Sequence, residues 1–171
     1  MVDEVQKDVF YGGNVRSWQN GKNIVFLPAP DNDVYFVFTH FIKHFYKEGM
    51  CIRQICDWCR LLWTYRGKVN CSLLEKRLRK SGLVSEWRVF ASLAVELLGM
   101  PMEAMPLYEN REKWSRKASR LLGFILRGYA GCKVKDTYGI FCLFPLKTIC
   151  YMPSIFLNIN WLKFKERLIK Q

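Results

Sequence analysis

From Val34 to Lys47 the chain reads VYFVFTHFIKHFYK, apolar on nearly every side of a helix, which suits a helix in the middle of a bundle better than one on its surface. Gly49 ends this run. From about Cys51 to Tyr65 a second run places Ile52, Ile55, Cys56, Cys59 and Trp63 on one stripe at helical spacing. So few residues separate the two that they are expected to pack as an antiparallel hairpin. Further on, Ser72-Leu73-Leu74-Glu75 has capping-box spacing and opens a short basic helix that stops at Gly82. Trp87, Phe90, Ala91, Ala94 and Leu98 recur at helical spacing up to Gly99-Met100-Pro101. MPMEAMPLY reads as a loop, and a further helix is expected from about Arg111 to Arg127.

Both ends of the chain differ from this pattern. VFYGGNVRSW and NIVFL read as extended segments on either side of Gln19-Asn20-Gly21-Lys22, where Asn-Gly supplies the positive φ angles of a two-residue turn. Pro28-Ala29-Pro30-Asp31-Asn32-Asp33 then breaks the chain and offers helix caps. The tail, IFCLFPLKTICYMPSIFLNINWLKFKERLIK, is strongly apolar, but Pro145, Lys147 and Pro153 interrupt it before about 20 apolar residues accumulate. A terminal helix lying on the core is expected, and a membrane-spanning one is not.

The predicted fold is mainly α: a helical bundle of about five to six helices with a small N-terminal β-hairpin. Residues 1–30 form the extended segment and 31–171 the helical part of one domain, since 171 residues at 50% hydrophobic build one substantial core.

Charge adds the first functional constraint. The net charge of +12 is uneven, because residues 1–50 hold five bases and six acids while residues 60–80 carry Arg60, Arg66, Lys68, Lys76, Arg77, Arg79 and Lys80 against Glu75. Residues 111–135 carry eight bases against Glu112. Such clustering fits an anionic partner: a nucleotide, nucleic acid, an acidic glycan or a membrane face. Seven irregularly spaced cysteines behind an acidic, polar start argue for free thiols and a cytoplasmic setting.

Three constellations bear on chemistry. His40 and His44, the only histidines, are four apart on one helix face, the spacing at which two imidazoles share a metal. Counted from Gly49, Asp57 lies level with His40, and Arg53 and Gln54 lie level with His44. Asp57 would therefore either complete a metal site or orient His40 by a hydrogen bond and pair with Arg53. With no HExxH glutamate and no third histidine, the metal-free polar hairpin is preferred. Cys56-Asp57-Trp58-Cys59 sits mid-helix rather than at a helix N-terminus, so buried free thiols are expected instead of redox chemistry. Gly12-Gly13 and Asp31-Asn32-Asp33 invite comparison with a nucleotidyltransferase site, but prolines precede the aspartates and a helix follows, so helix caps are the better reading.

The succession Leu27-Pro28, Phe36, Phe38, His40, His44, Gly49, Arg53-Gln54 and Asp57-Trp58 resembles a block of the uncharacterised bacterial nucleotidyltransferase-like family. The likeness is tightest over about residues 27–66 and continues loosely to about 130. In that family the block lies in a helical region following a nucleotide-transfer domain of polymerase-β-like topology. The resemblance implies that this chain is the C-terminal helical portion, truncated or one half of a split pair, and not catalytic by itself. Magnesium and a nucleoside triphosphate are implied only for the missing catalytic domain. His40, His44, Arg53, Gln54 and Asp57 are carried over as substrate- or domain-facing residues, with no catalytic residue and no metal ligand. The implied partner is a separate nucleotidyltransferase domain or protein. A basic helical module for nucleic acid or another anionic polymer is the first alternative, and a membrane-peripheral protein using residues 139–164 is the second.

Overall fold

The β-hairpin pairs β1 (Arg16–Asn20) antiparallel with β2 (Asn23–Leu27), Arg16 opposite Leu27 and Asn20 opposite Asn23. The turn thus sits one residue later than Asn20-Gly21. Its central residues are Gly21 and Lys22, and Gly21 alone of the two has positive φ, at 59°. Glycine at the first central position is the type II′ pattern, which matches the twist of the paired strands. The computed structural model describes residues 16–47, 50–127 and 140–151.

Six α-helices with both ends among the described residues follow, and residues 140–143 are helical as well. The six are α1 (Pro30–Lys47), α2 (Ile52–Thr64), α3 (Cys71–Ser81), α4 (Val84–Ser92), α5 (Glu112–Leu126) and α6 (Pro145–Tyr151). Helix α4 runs on into a π-helical turn, Leu93–Leu97, before Gly99 at φ 74° reverses the chain. The MPMEAMPLY loop contains one 3₁₀ turn, Met102–Ala104. The mainly helical bundle with a small N-terminal hairpin is as expected.

Helix α1 is the hub and packs against α2, α3 and α6, while α4 packs on α3 and α5. An aromatic cluster fills the centre: Phe38, Trp58, Trp87 and Phe90 are 0–1% exposed, with Phe38 4.7 Å from Trp87 and 5.5 Å from Trp58 between ring centroids. The Phe38–Trp87 pair meets edge to face, a geometry that adds to the stabilisation from area burial. Helix α1 nevertheless keeps one outward strip, Phe36, His40, Lys43 and Lys47, so it is central without being wrapped on every side.

Helix α2 buries a different stripe from the expected one. Ile55, Trp58 and Leu62 face the core, whereas Cys56 is exposed and Trp63 is 44% exposed. Spacing fixed the period of the helix but not its rotation, and Trp58 reaches the aromatic cluster only when that side turns inward. Helix α3 is capped by Asn70, whose side chain accepts from Leu73 N at 3.0 Å, two residues before the Ser72 of the anticipated box. It ends at Gly82 in the left-handed conformation, as expected. From the apolar tail, Ile140, Leu143 and Phe144 return to the core at 0–3% exposure. The tail beyond Tyr151 lies outside the described residues. No helix among the described residues is long and apolar enough to cross a membrane.

Candidate functional site

The α1–α2 hairpin forms, but its polar residues do not converge as expected. His40 Nε2 and His44 Nε2 are 3.1 Å apart, one ring donating and the other accepting, with the ring planes at 73°. Proton-sharing of this kind needs at least one neutral imidazole. His40 also stacks on Phe36, 6.0 Å between centroids, along the outward strip of α1.

Asp57 neither orients His40 nor pairs with Arg53. Both Arg53 and Asp57 are exposed, because they lie on the side of α2 opposite Ile55, Trp58 and Leu62. The expected His40–Asp57 contact fails for the same reason that the stripe was misphased: a helix rotation that buries Trp58 turns its neighbour Asp57 to the outside. Among the described residues, no group of three or more His, Cys, Asp or Glu side chains could hold a metal ion. Gln54 has a local task, since its Oε1 accepts from Cys51 N at 3.1 Å and closes the first turn of α2.

The thiols of Cys56 and Cys59 are free, but Cys56 is exposed and Cys59 half-buried, so the pair is not buried as expected. Burial, reinforced by the neighbouring Cys56, pushes the Cys59 thiol up to about 12, which suppresses the nucleophilic thiolate. Nothing in that arrangement favours redox exchange.

Asp31, Asn32 and Asp33 hold elements together across the fold. Asp31 Oδ1 accepts from Asn70 N at 2.5 Å, Asn32 Oδ1 from Arg77 Nη1 at 2.9 Å, and Asp33 Oδ2 from Tyr65 Oη at 2.6 Å. The start of α1 is thereby fastened to the end of α2 and the start of α3. Carboxylates committed to a backbone amide and a tyrosine do not fit a paired magnesium site, in which the acidic oxygens face the metal. Gly12-Gly13 lies outside the described residues.

One constellation escaped the sequence. Glu86, 2% exposed in the first turn of α4, receives a hydrogen bond from Tyr46 Oη to Oε1 at 2.9 Å, while its buried Oε2 has no partner among the described residues. An unsatisfied buried polar oxygen costs about 1–3 kcal/mol, so its retention calls for a reason. Desolvation pushes the Glu86 carboxyl above the usual carboxylate range, against the opposing pull of its backbone and Tyr46 hydrogen bonds and of nearby Lys147 and Lys117. Both lysines turn to backbone carbonyls: Lys147 Nζ donates to Ser81 O at 2.5 Å and Lys117 Nζ to Leu143 O at 2.6 Å. Burial, with Lys113 adding to it, holds the Lys117 ammonium below the usual lysine range. These groups border a cavity of about 440 Å³ whose other walls are mainly Leu143, Phe144, Pro145 and Leu146.

A sequence signal for Glu86 existed. It lies four and eight residues before Phe90 and Ala94, an acid on the apolar stripe of its helix. Its partners come from positions 46, 117 and 147, and no local pattern joins them.

Compared with known proteins, the chain matches no family model, no curated protein and no solved structure.

Proposed function

We propose that this chain is the helical, acceptor-facing portion of a bacterial nucleotidyltransferase-family protein, acting in the cytoplasm beside a separately supplied catalytic domain and transferring no nucleotide by itself. The observation that carries this reading is how the block over residues 27–66 divides. Its apolar members Phe38 and Trp58 are fully buried, whereas His40, Arg53 and Asp57 face outward. Polar residues that are not consumed in holding the hairpin together suit contact with something beyond it. In this reading Arg53 offers a planar fork of donors to a phosphate-bearing acceptor or to a carboxylate of the catalytic domain. Magnesium and the nucleoside triphosphate belong to that other domain, consistent with the poor fit of Asp31 and Asp33 to a metal pair.

The test uses the chain with labelled nucleoside triphosphate and magnesium, alone and with the nucleotidyltransferase domain encoded immediately upstream. The expected result is no incorporation alone and incorporation with the domain, reduced by His40→Ala and Arg53→Ala. Incorporation by the chain alone would overturn the claim that it is non-catalytic. Absence of any such domain upstream, or unchanged rates in both variants beside it, would remove the support from the hairpin.

A second reading, an anionic-polymer binder, is favoured by one further observation. Trp63 is 44% exposed and carries the Arg66 guanidinium 4.3 Å over its ring, and exposed Lys68, Lys76, Arg79 and Lys80 follow it in the chain. A cationic surface with a partly exposed aromatic ring and a stacked arginine is the combination that holds single-stranded nucleic acid without sequence preference. Binding that falls steeply with salt, weakens in Trp63→Ala and ignores Arg53→Ala would favour this reading over the first.

A further inference from the structure

The Glu86 cavity goes beyond the hairpin reading, since none of its residues belongs to the His40–Asp57 block. It combines three independent features. Its floor carries a carboxyl group that is 98% removed from solvent by its 2% exposure, with Oε2 lacking a partner among the described residues. Two ammonium groups stand at its border, each held in place by a bond to a backbone carbonyl at 2.5 or 2.6 Å, and neither makes an ion pair with Glu86. An ammonium has three donors, so each lysine retains donors beyond its carbonyl bond. The remaining wall is apolar, and a volume of about 440 Å³ is within the size range of small-molecule sites.

We propose that this cavity binds a small organic oxyanion, a carboxylate or a phosphate monoester, with its charged end between Lys117 and Lys147 and its carbon skeleton on Leu143 and Phe144. Two lysines against one acid give the cavity a positive balance. Burial raises the Glu86 carboxyl above the usual carboxylate range, which disfavours the one negative charge that would repel the ligand. Tyr46 holds the carboxyl in place through Oε1. The short apolar wall selects against inorganic ions, which have no carbon skeleton to bury.

The experiment is a titration of the full chain with butyl phosphate, butyrate and inorganic phosphate, followed by calorimetry and by amide shifts around Glu86. Saturable binding of butyl phosphate or butyrate is expected, at least tenfold tighter than inorganic phosphate, and the preferred probe identifies the class of oxyanion. Lys117→Met and Lys147→Met should each weaken it at least tenfold. Ser85 is exposed and lines the cavity, so Ser85→Asp adds a negative charge there without touching the core, and it should abolish binding in a protein whose circular dichroism is unchanged. No saturable binding of any probe to the folded chain would overturn the proposal. So would binding that Ser85→Asp leaves intact, because the anion would then be on the general basic surface.

Discussion

Trp58 and Trp87 offer a controlled comparison. They are 0% and 1% exposed, lie 5.1 Å apart in edge-to-face contact, and share Phe38 as a neighbour. Their indole nitrogens differ. Trp87 Nε1 donates to Pro106 O at 2.8 Å, while Trp58 Nε1 is buried with no partner among the described residues. Replacing either by Phe removes a similar volume, at a shared cost on the order of 1–3 kcal/mol. In Trp87→Phe the Pro106 carbonyl also loses its donor, which adds about 1 kcal/mol. In Trp58→Phe an unsatisfied buried donor disappears, which returns about 1 kcal/mol. Trp87→Phe should therefore be the more destabilising by about 2 kcal/mol, or about 4–8 °C in melting temperature for a chain of this size. Urea unfolding of both variants and the parent measures this directly, provided that the slope against urea stays the same. Equal losses, or a larger loss in Trp58→Phe, would refute the reasoning and point to a hidden partner for the Trp58 indole. The comparison also bears on function, because it treats the Trp of the Asp57-Trp58 element as a core residue and leaves Asp57 as the outward one.

Three further outcomes follow from the geometry. With iodoacetamide at pH 8, Cys56 should be alkylated well before Cys59, whose thiol is pushed up to about 12; peptide mass spectrometry reads the order, and equal rates would contradict the burial of Cys59. Because Glu86 titrates above its ordinary 4.5 in the folded state, its favourable contribution is complete below 4.5 and is lost as pH rises through the folded value. Glu86→Gln should accordingly gain stability over the parent as pH rises, and urea midpoints that stay parallel across pH would show that Glu86 is not the group responsible. Asn70→Ala removes the side chain that accepts from Leu73 N and should cost about 1 kcal/mol, against little change in Ser72→Ala.

The sequence revealed elements better than rotations or distant meetings. Helix ends marked by Gly82 and by the prolines before α1 were legible because their signals are local. The buried side of α2 was not, because Cys56 and Trp63 make an apolar stripe as regular as the one through Ile55, Trp58 and Leu62. Only packing against Phe38 and Phe41 decides between them. That single rotation accounts for the failure of the His40–Asp57 contact and for the exposure of Cys56 and Trp63. The Asp31-Asn32-Asp33 run was read as helix caps, yet its side chains bond to Tyr65, Asn70 and Arg77, across a turn that no spacing rule connects to α1. The Glu86 cavity was the least legible, since it joins four segments and only the acid on an apolar stripe left a trace.

The three side chains that open α1 reach both sides of the exposed turn at residues 66–68: Asp33 holds Tyr65 before it, while Asp31 and Asn32 hold Asn70 and Arg77 after it. Covalent continuity through Gly67 therefore duplicates a connection that already exists in space. The bundle has a natural seam there, at which a protease cut, a circular permutation or an inserted sequence leaves the two flanking helices docked on the same anchor.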